Sequence, residues 1–96
     1  MNPPSLDDFA ALKGQTFALD AGDAQPLPAV LLQVEPLVMT PHAGRQPFSL
    51  LFAGPLQPRL PQSTYRLVHP QLPALDVFLV PVGADATATC YQAVFT

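Results

Sequence analysis

A chain of 96 residues has room for one domain and one core, and folding at this size removes somewhat under ~70% of the unfolded chain's surface from water. Hydrophobic residues make up 49% and charged residues only 11%, which excludes disorder driven by charge repulsion and leaves an unusually neutral surface. The net charge is −3 and the four basic residues Lys13, Arg45, Arg59 and Arg66 are scattered, which excludes the basic stripe that binds phosphate backbones, so nucleic acid is not an expected partner.

Ser5 is placed to cap a short N-terminal helix over Leu6 to Leu12, about residues 5–13 in all, with Asp7 and Asp8 in the turn where the helix dipole favours negative charge and Gly14 closing it. Leu6, Phe9 and Leu12 share one side and are expected to lie on a sheet or plug a barrel end. Gln15 to Asp20 reads as a strand with Phe17 and Leu19 inward, followed by a turn at Ala21-Gly22-Asp23-Ala24. Ala29 to Glu35 alternates next, Val30, Leu32 and Val34 against Leu31, Gln33 and Glu35, which makes Leu31 the one apolar residue on the polar side. Pro36 ends that strand, and Met39 to Gln46 reads as the longest loop.

The densest apolar run, Phe48 to Ala53, puts Phe48, Leu50 and Phe52 on one face, each contributing roughly 1.5–3 kcal/mol when fully buried. Pro55, Pro58 and Pro61 then make a stiff crossing that lies outside any central strand. Ser63 to His69 is a strand with Tyr65 and Leu67 inward and Arg66 and Val68 outward, and Pro70 and Pro73 make a turn. In Asp76 to Val82 the residues Val77, Phe78, Leu79 and Val80 are all apolar, which predicts burial on both faces, under the helix or under another subunit. Gly83-Ala84-Asp85-Ala86 reads as a hairpin turn into a last strand, Ala88 to Phe95, with Tyr91, Ala93 and Phe95 on one face. Six short strands with one helix predict an all-β fold over residues 1–96, a small antiparallel barrel or rolled sandwich.

Four ordered segments, Phe48-Ser49-Leu50-Leu51-Phe52-x-Gly54-Pro55, Leu60-Pro61-Gln62-x-x-Tyr65-x-Leu67-x-His69, Phe78-Leu79-Val80-Pro81-Val82-Gly83 and Tyr91-x-Ala93-Val94-Phe95, together resemble an uncharacterised family of small bacterial β-rich proteins. The opening Phe9-x-x-Leu12-x-Gly14-x-x-Phe17 is similar to the same family's N-terminus. Ser63 and Pro73 stand where the pattern has glycine, and Thr96 where it has Asn. The resemblance carries over no catalytic residue. It implies an accessory of a phage-tail-like or surface assembly.

Candidate sites are few. Tyr65, Arg66 and His69 end one strand, where they could surround a small molecule at a barrel mouth; the structural expectation is that His69 caps the core with one ring nitrogen on a backbone carbonyl. His42 falls in a loop and is expected to be solvated. His42, His69, Cys90 and the acids show no metal-ligand spacing, and Cys90, mid-strand beside Tyr91, is expected to be an inert thiol and not a nucleophile paired with His69. Asp76 with Glu35 or Asp85 is the available carboxylate pair, and no glycine-rich cradle opens a helix. Phe9, Phe17, Phe48, Phe52, Tyr65, Phe78, Tyr91 and Phe95 are spaced as core positions.

A lone cysteine has no internal disulfide partner and predicts a cytoplasmic location. Asp7 and Asp8 stand where a signal peptide would be positive, and no run reaches the ~20 apolar residues that cross a bilayer, so membrane insertion is not expected. The sequence therefore predicts a non-enzymatic interaction or assembly module without a cofactor, a homo-oligomer or a protein docked on a partner through Leu31, Phe78 and Val80. The alternative is a ligand-binding barrel using Tyr65, Arg66 and His69.

Overall fold

The computed structural model describes residues 4–20, 22, 25–37, 47–57 and 59–95. The expected loop at Met39 to Gln46, with His42, lies outside these residues, as do Pro58, Thr96 and most of the Ala21–Ala24 turn. Ser5 does cap the helix: its Oγ accepts from the Asp8 N–H, and the Asp8 carboxylate accepts in return from the Ser5 N–H at 2.9 Å. This α1, Leu6–Ala10, is shorter than expected. After it the chain turns through Gly14, whose φ of +88° suits glycine, and the N–H of Gly14 donates to the Leu31 carbonyl at 2.7 Å.

Six strands follow, β1 (Thr16–Asp20), β2 (Leu27–Pro36), β3 (Phe48–Gly54), β4 (Ser63–His69), β5 (Leu72–Ala84) and β6 (Thr89–Phe95). They close an antiparallel barrel in the order β1-β2-β3-β6-β5-β4. Two three-strand meanders are thus joined at two seams, β3 against β6 and β1 against β4.

The middle strand of each meander is long because it serves its two neighbours in turn. β2 pairs with β1 over its first residues and with β3 from Val30 onward; β5 pairs with β4 up to Leu79 and with β6 from Leu79 onward. Each also holds extra residues, Leu32 in β2 and, in β5, Val82 opposite β6 and one between Leu72 and Leu75 opposite β4, and such bulges supply the bend that closure needs.

The bulge at Leu32 corrects the expected faces of β2. Before it the odd-numbered residues face inward, so Ala29 and Leu31 are both fully buried; after it Val34 does, and Leu32 is left exposed. One inserted residue reverses every side chain beyond it. Leu31 is therefore a core residue and is withdrawn as a contact residue.

β5 is corrected in a different way. Val77 and Leu79 are buried, but Phe78 keeps 54% of its surface exposed, and the helix packs on β2 and does not cover it. Burial is on one face. Phe78 is accordingly the one aromatic residue of the expected set that stands outside the core.

Both middle strands also run further than expected, past Pro28 and through Pro36 in β2 and back past Pro73 in β5. Pro28, Pro36, Pro73 and Pro81 all lie inside strands, each where that strand has a single paired neighbour, so the missing N–H can be turned to the open side. The β5–β6 connection falls later than expected, because Gly83 and Ala84 still pair with Cys90 and Thr89. There the Asp85 Oδ1 accepts from the N–H groups of Thr87 and Ala88 and from the Thr87 hydroxyl.

The inward residues fill the barrel and both of its ends. At one end Phe9 of α1 sits among Phe17, Phe48 and Phe95 with ring centroids 5.5–6.2 Å away, while Phe48 stacks on Phe95 at 4.8 Å. At the other end the crossing from β3 to β4 spans the mouth, and Leu60 packs against the core.

Candidate functional site

The end of the barrel under the crossing is held by phenols. The Tyr65 hydroxyl donates to the Pro61 carbonyl, and the Tyr91 hydroxyl accepts from the Leu60 N–H at 2.9 Å. Burial, reinforced by the nearby Tyr91 phenol, raises the Tyr65 pKa and keeps it a protonated donor. Gly54 lets the Tyr91 ring lie close: a Cβ there would stand 3.2 Å from Tyr91 Cε2.

His69 points inward near the opposite end, 7% exposed, its ring centroid 4.6 Å from that of Phe17. Its Nδ1 accepts from the Gln71 N–H at 3.1 Å, which leaves the ring proton on Nε2 to be donated to Gln15 Oε1 at 2.9 Å. The partners are an amide N–H and a side-chain amide, not the backbone carbonyl expected. Both ring nitrogens are occupied within the protein.

Arg66 faces the other way, so the structure does not bring together Tyr65, Arg66 and His69. Cross-strand register instead sets Arg66 between Asp20 of β1 and Asp76 of β5, with Nε 3.6 Å from Asp76 Oδ1. Together with Gly22 and Thr64 they line an open groove on the outer wall. Both members of the ion pair are well exposed, which limits the pair to about 0.2–1 kcal/mol.

The expected carboxylate pairs do not form a unit. Asp76 meets Arg66, Asp85 is engaged in its own turn, and Glu35 lies beside Ser49 on β2. Cys90 is half-buried and sits on β6 between Ala53 and Gly83, while His69 faces inward near the other end. Among the described residues no cluster of three or more His, Cys, Asp or Glu could hold a metal ion. Nor is any helix among them long and apolar enough to cross a membrane.

What the outer wall does assemble is a face without charge. Across β3, β6 and β5 the register brings the buried Ser49 beside Val94, sets Gln92 between Leu51 and Val80, and sets Cys90 between Ala53 and Gly83. Phe78 on β5 extends the row of Val94, and Val82 bulges outward above Val80. Val82 and Val94 are exposed at 51% and 53%. No Asp, Glu, Lys or Arg occurs in β3, in β6 or from Val77 to Ala84 of β5. Val94, Val82 and Gln92 were not singled out by sequence; their signal was the absence of charge at every outward position of three strands that turn out to be neighbours.

One family model matches this chain over residues 4–95, and its description is Domain of unknown function (DUF6916). No curated protein and no solved structure matches the chain.

Proposed function

Since the chain belongs to the DUF6916 family, whose description assigns no activity, its role has to be read from its own surface, and we propose that it is a non-enzymatic protein-interaction module. The observation that carries this reading is the uncharged β3–β6–β5 face, on which Phe78, Val82 and Val94 stand about half exposed. Full burial of such a side chain is worth about 1.5–3 kcal/mol, so each of these half-exposed residues still forgoes about half of that, which a docked protein would recover. Phe78 and Val80 are the contact residues on this reading.

The module is assigned to the cytoplasm, a reading supported by the free thiol of Cys90, and to service as an accessory of a tail-like or surface assembly. The test compares the wild-type protein with Phe78→Ser. Expected is a partner, or a second copy, whose binding is reproduced with purified components and lost in the variant. Unchanged binding in Phe78→Ser would overturn the assignment of the face, and no binding of any kind would overturn the module.

A second reading, a small-molecule site, has one specific observation in its favour, the open groove around Arg66. A ligand screen by thermal shift, repeated with Arg66→Ala, decides it: a stabilising ligand whose effect is lost in the variant supports the groove.

A further inference from the structure

We infer that the occupant of the β3–β6–β5 face is a second copy of this chain, docked face to face about a two-fold axis that passes close to Gln92. The inference rests on the interaction reading above and names its partner.

The argument begins with charge. A two-fold contact sets a surface against itself, so every unpaired charge near the axis meets its own sign. In a chain of net charge −3 most of the wall is unsuited to that: Asp20 and Asp76 flank one groove, and Asp7 and Asp8 lie on α1. The β3–β6–β5 face carries neither sign around Gln92; Glu35 and Asp85 stand at its margins, as does Asp76, which lies next to Phe78 along β5 and is paired with Arg66. A partner of opposite charge would find nothing there to steer it or fix its orientation, whereas a second copy needs that neutrality.

Gln92 supplies what fixes the geometry. It is exposed, it lies in the middle strand of the three, and its row neighbours are Leu51 and Val80. A carboxamide both donates and accepts, so on a two-fold axis it pairs reciprocally with Gln92 of the second copy, and the surrounding apolar side chains close around that pair.

Area sets the strength. The half-exposed Phe78, Val82 and Val94 with their partly exposed neighbours amount to roughly 400 Å² of apolar surface per copy, below the ~800 Å² per partner of a stable complex. The dimer is therefore weak and concentration-dependent. Salt screens the mutual repulsion of the two acidic chains and strengthens it.

Sedimentation equilibrium of the purified chain, run from micromolar to millimolar concentration, is the test. The weight-average mass is expected to rise from 10.3 kDa toward twice that value. Phe78→Ser should weaken association at least about tenfold. Gln92→Glu and Gln92→Lys should each abolish it alone, and an equimolar mixture of the two should restore it, a rescue that only contact between two copies of residue 92 produces. Dichroism of both variants should match wild type, because Gln92 is on the surface.

A mass that stays at 10.3 kDa overturns the inference. So does an association indifferent to Gln92→Glu, or one not rescued in the mixture. If the chain stays monomeric yet binds a purified heterologous protein through Phe78, the second copy is excluded and the interaction reading stands; if it binds neither, both fall.

Discussion

Where β3 meets β6, the strands lie in unbroken register from the Phe48–Phe95 pair to the Gly54–Thr89 pair, whereas β1 meets β4 only from Ala18 to Asp20. The long seam turns Leu50, Phe52, Tyr91 and Ala93 into the core and shows an uncharged exterior. The short seam contributes Leu19 and Leu67 to the core, and outside it stands the row Asp20, Arg66, Asp76. The same barrel thus joins its halves in two ways. Where the wall is continuous its outside can be given over to apolar side chains, and where the pairing is brief the charges gather around the groove.

That contrast can be pressed experimentally. Leu50→Ala, in the long seam, should cost about 2–5 kcal/mol in chemical denaturation, with no dependence on salt. A cost under about 1 kcal/mol would mean the long seam is not where stability resides. Tyr91→Phe should cost about 1–3 kcal/mol, since it leaves the Leu60 N–H without its acceptor, and hydrogen exchange at Leu60 should quicken. Unchanged protection of that amide would show the crossing to be held by packing alone.

Arg66→Ala, at the short seam, should cost at most about 0.2–1 kcal/mol at low ionic strength and less as salt is added. A loss that persists in high salt would make the groove a structural joint and blur the contrast. The smallest effect concerns Asp85. Backbone N–H of Thr87, the Thr87 hydroxyl and the Ala88 N–H hold its carboxyl below the usual aspartate value. A lowered folded pKa stabilises the turn fully above the ordinary aspartate value, and the contribution fades as pH falls through the folded one. An acid titration followed at the Thr87 and Ala88 amides should show the β5–β6 turn loosening in that range; in Asp85→Ala the same amides should not titrate.

Four strands showed their inner faces in the sequence because period-two alternation runs through them uninterrupted: Phe17 and Leu19; Phe48, Leu50 and Phe52; Tyr65 and Leu67; and Tyr91 and Ala93 are all inside. β2 did not, because nothing local marks Leu32 as an extra residue. The choice is made by pairing with β3, where Leu31 opposes Phe52 and Gln33 opposes Leu51. In β5 four successive apolar residues look alike whether one face is buried or two, and only the placement of α1 on β2 separates the cases. Strand ends were misread at Pro28, Pro36 and Pro73, which fall in segments with one paired neighbour, since local rules treat proline as a stop.

The surroundings of the candidate residues were less legible still. Gln15 lies 54 positions from His69, and Asp20 reaches Arg66 only through barrel closure. The neutral face is the clearest case. Each of its strands is unremarkable alone, and the face exists only because the chain order places β6 between β3 and β5.

The single-neighbour prolines have a consequence for how far any assembly can grow. At Pro28, Pro36, Pro73 and Pro81 the backbone has no hydrogen to offer, so an arriving strand finds interrupted ladders along these segments. In the proposed dimer, contacts between copies fall to side chains on the β3–β6–β5 wall, which a two-fold pair would occupy on both molecules. What such a pair leaves outside, Leu32 and Val68 among it, is less exposed, at 39% and 38%. The expected product is a finite pair that comes apart on dilution, rather than a filament.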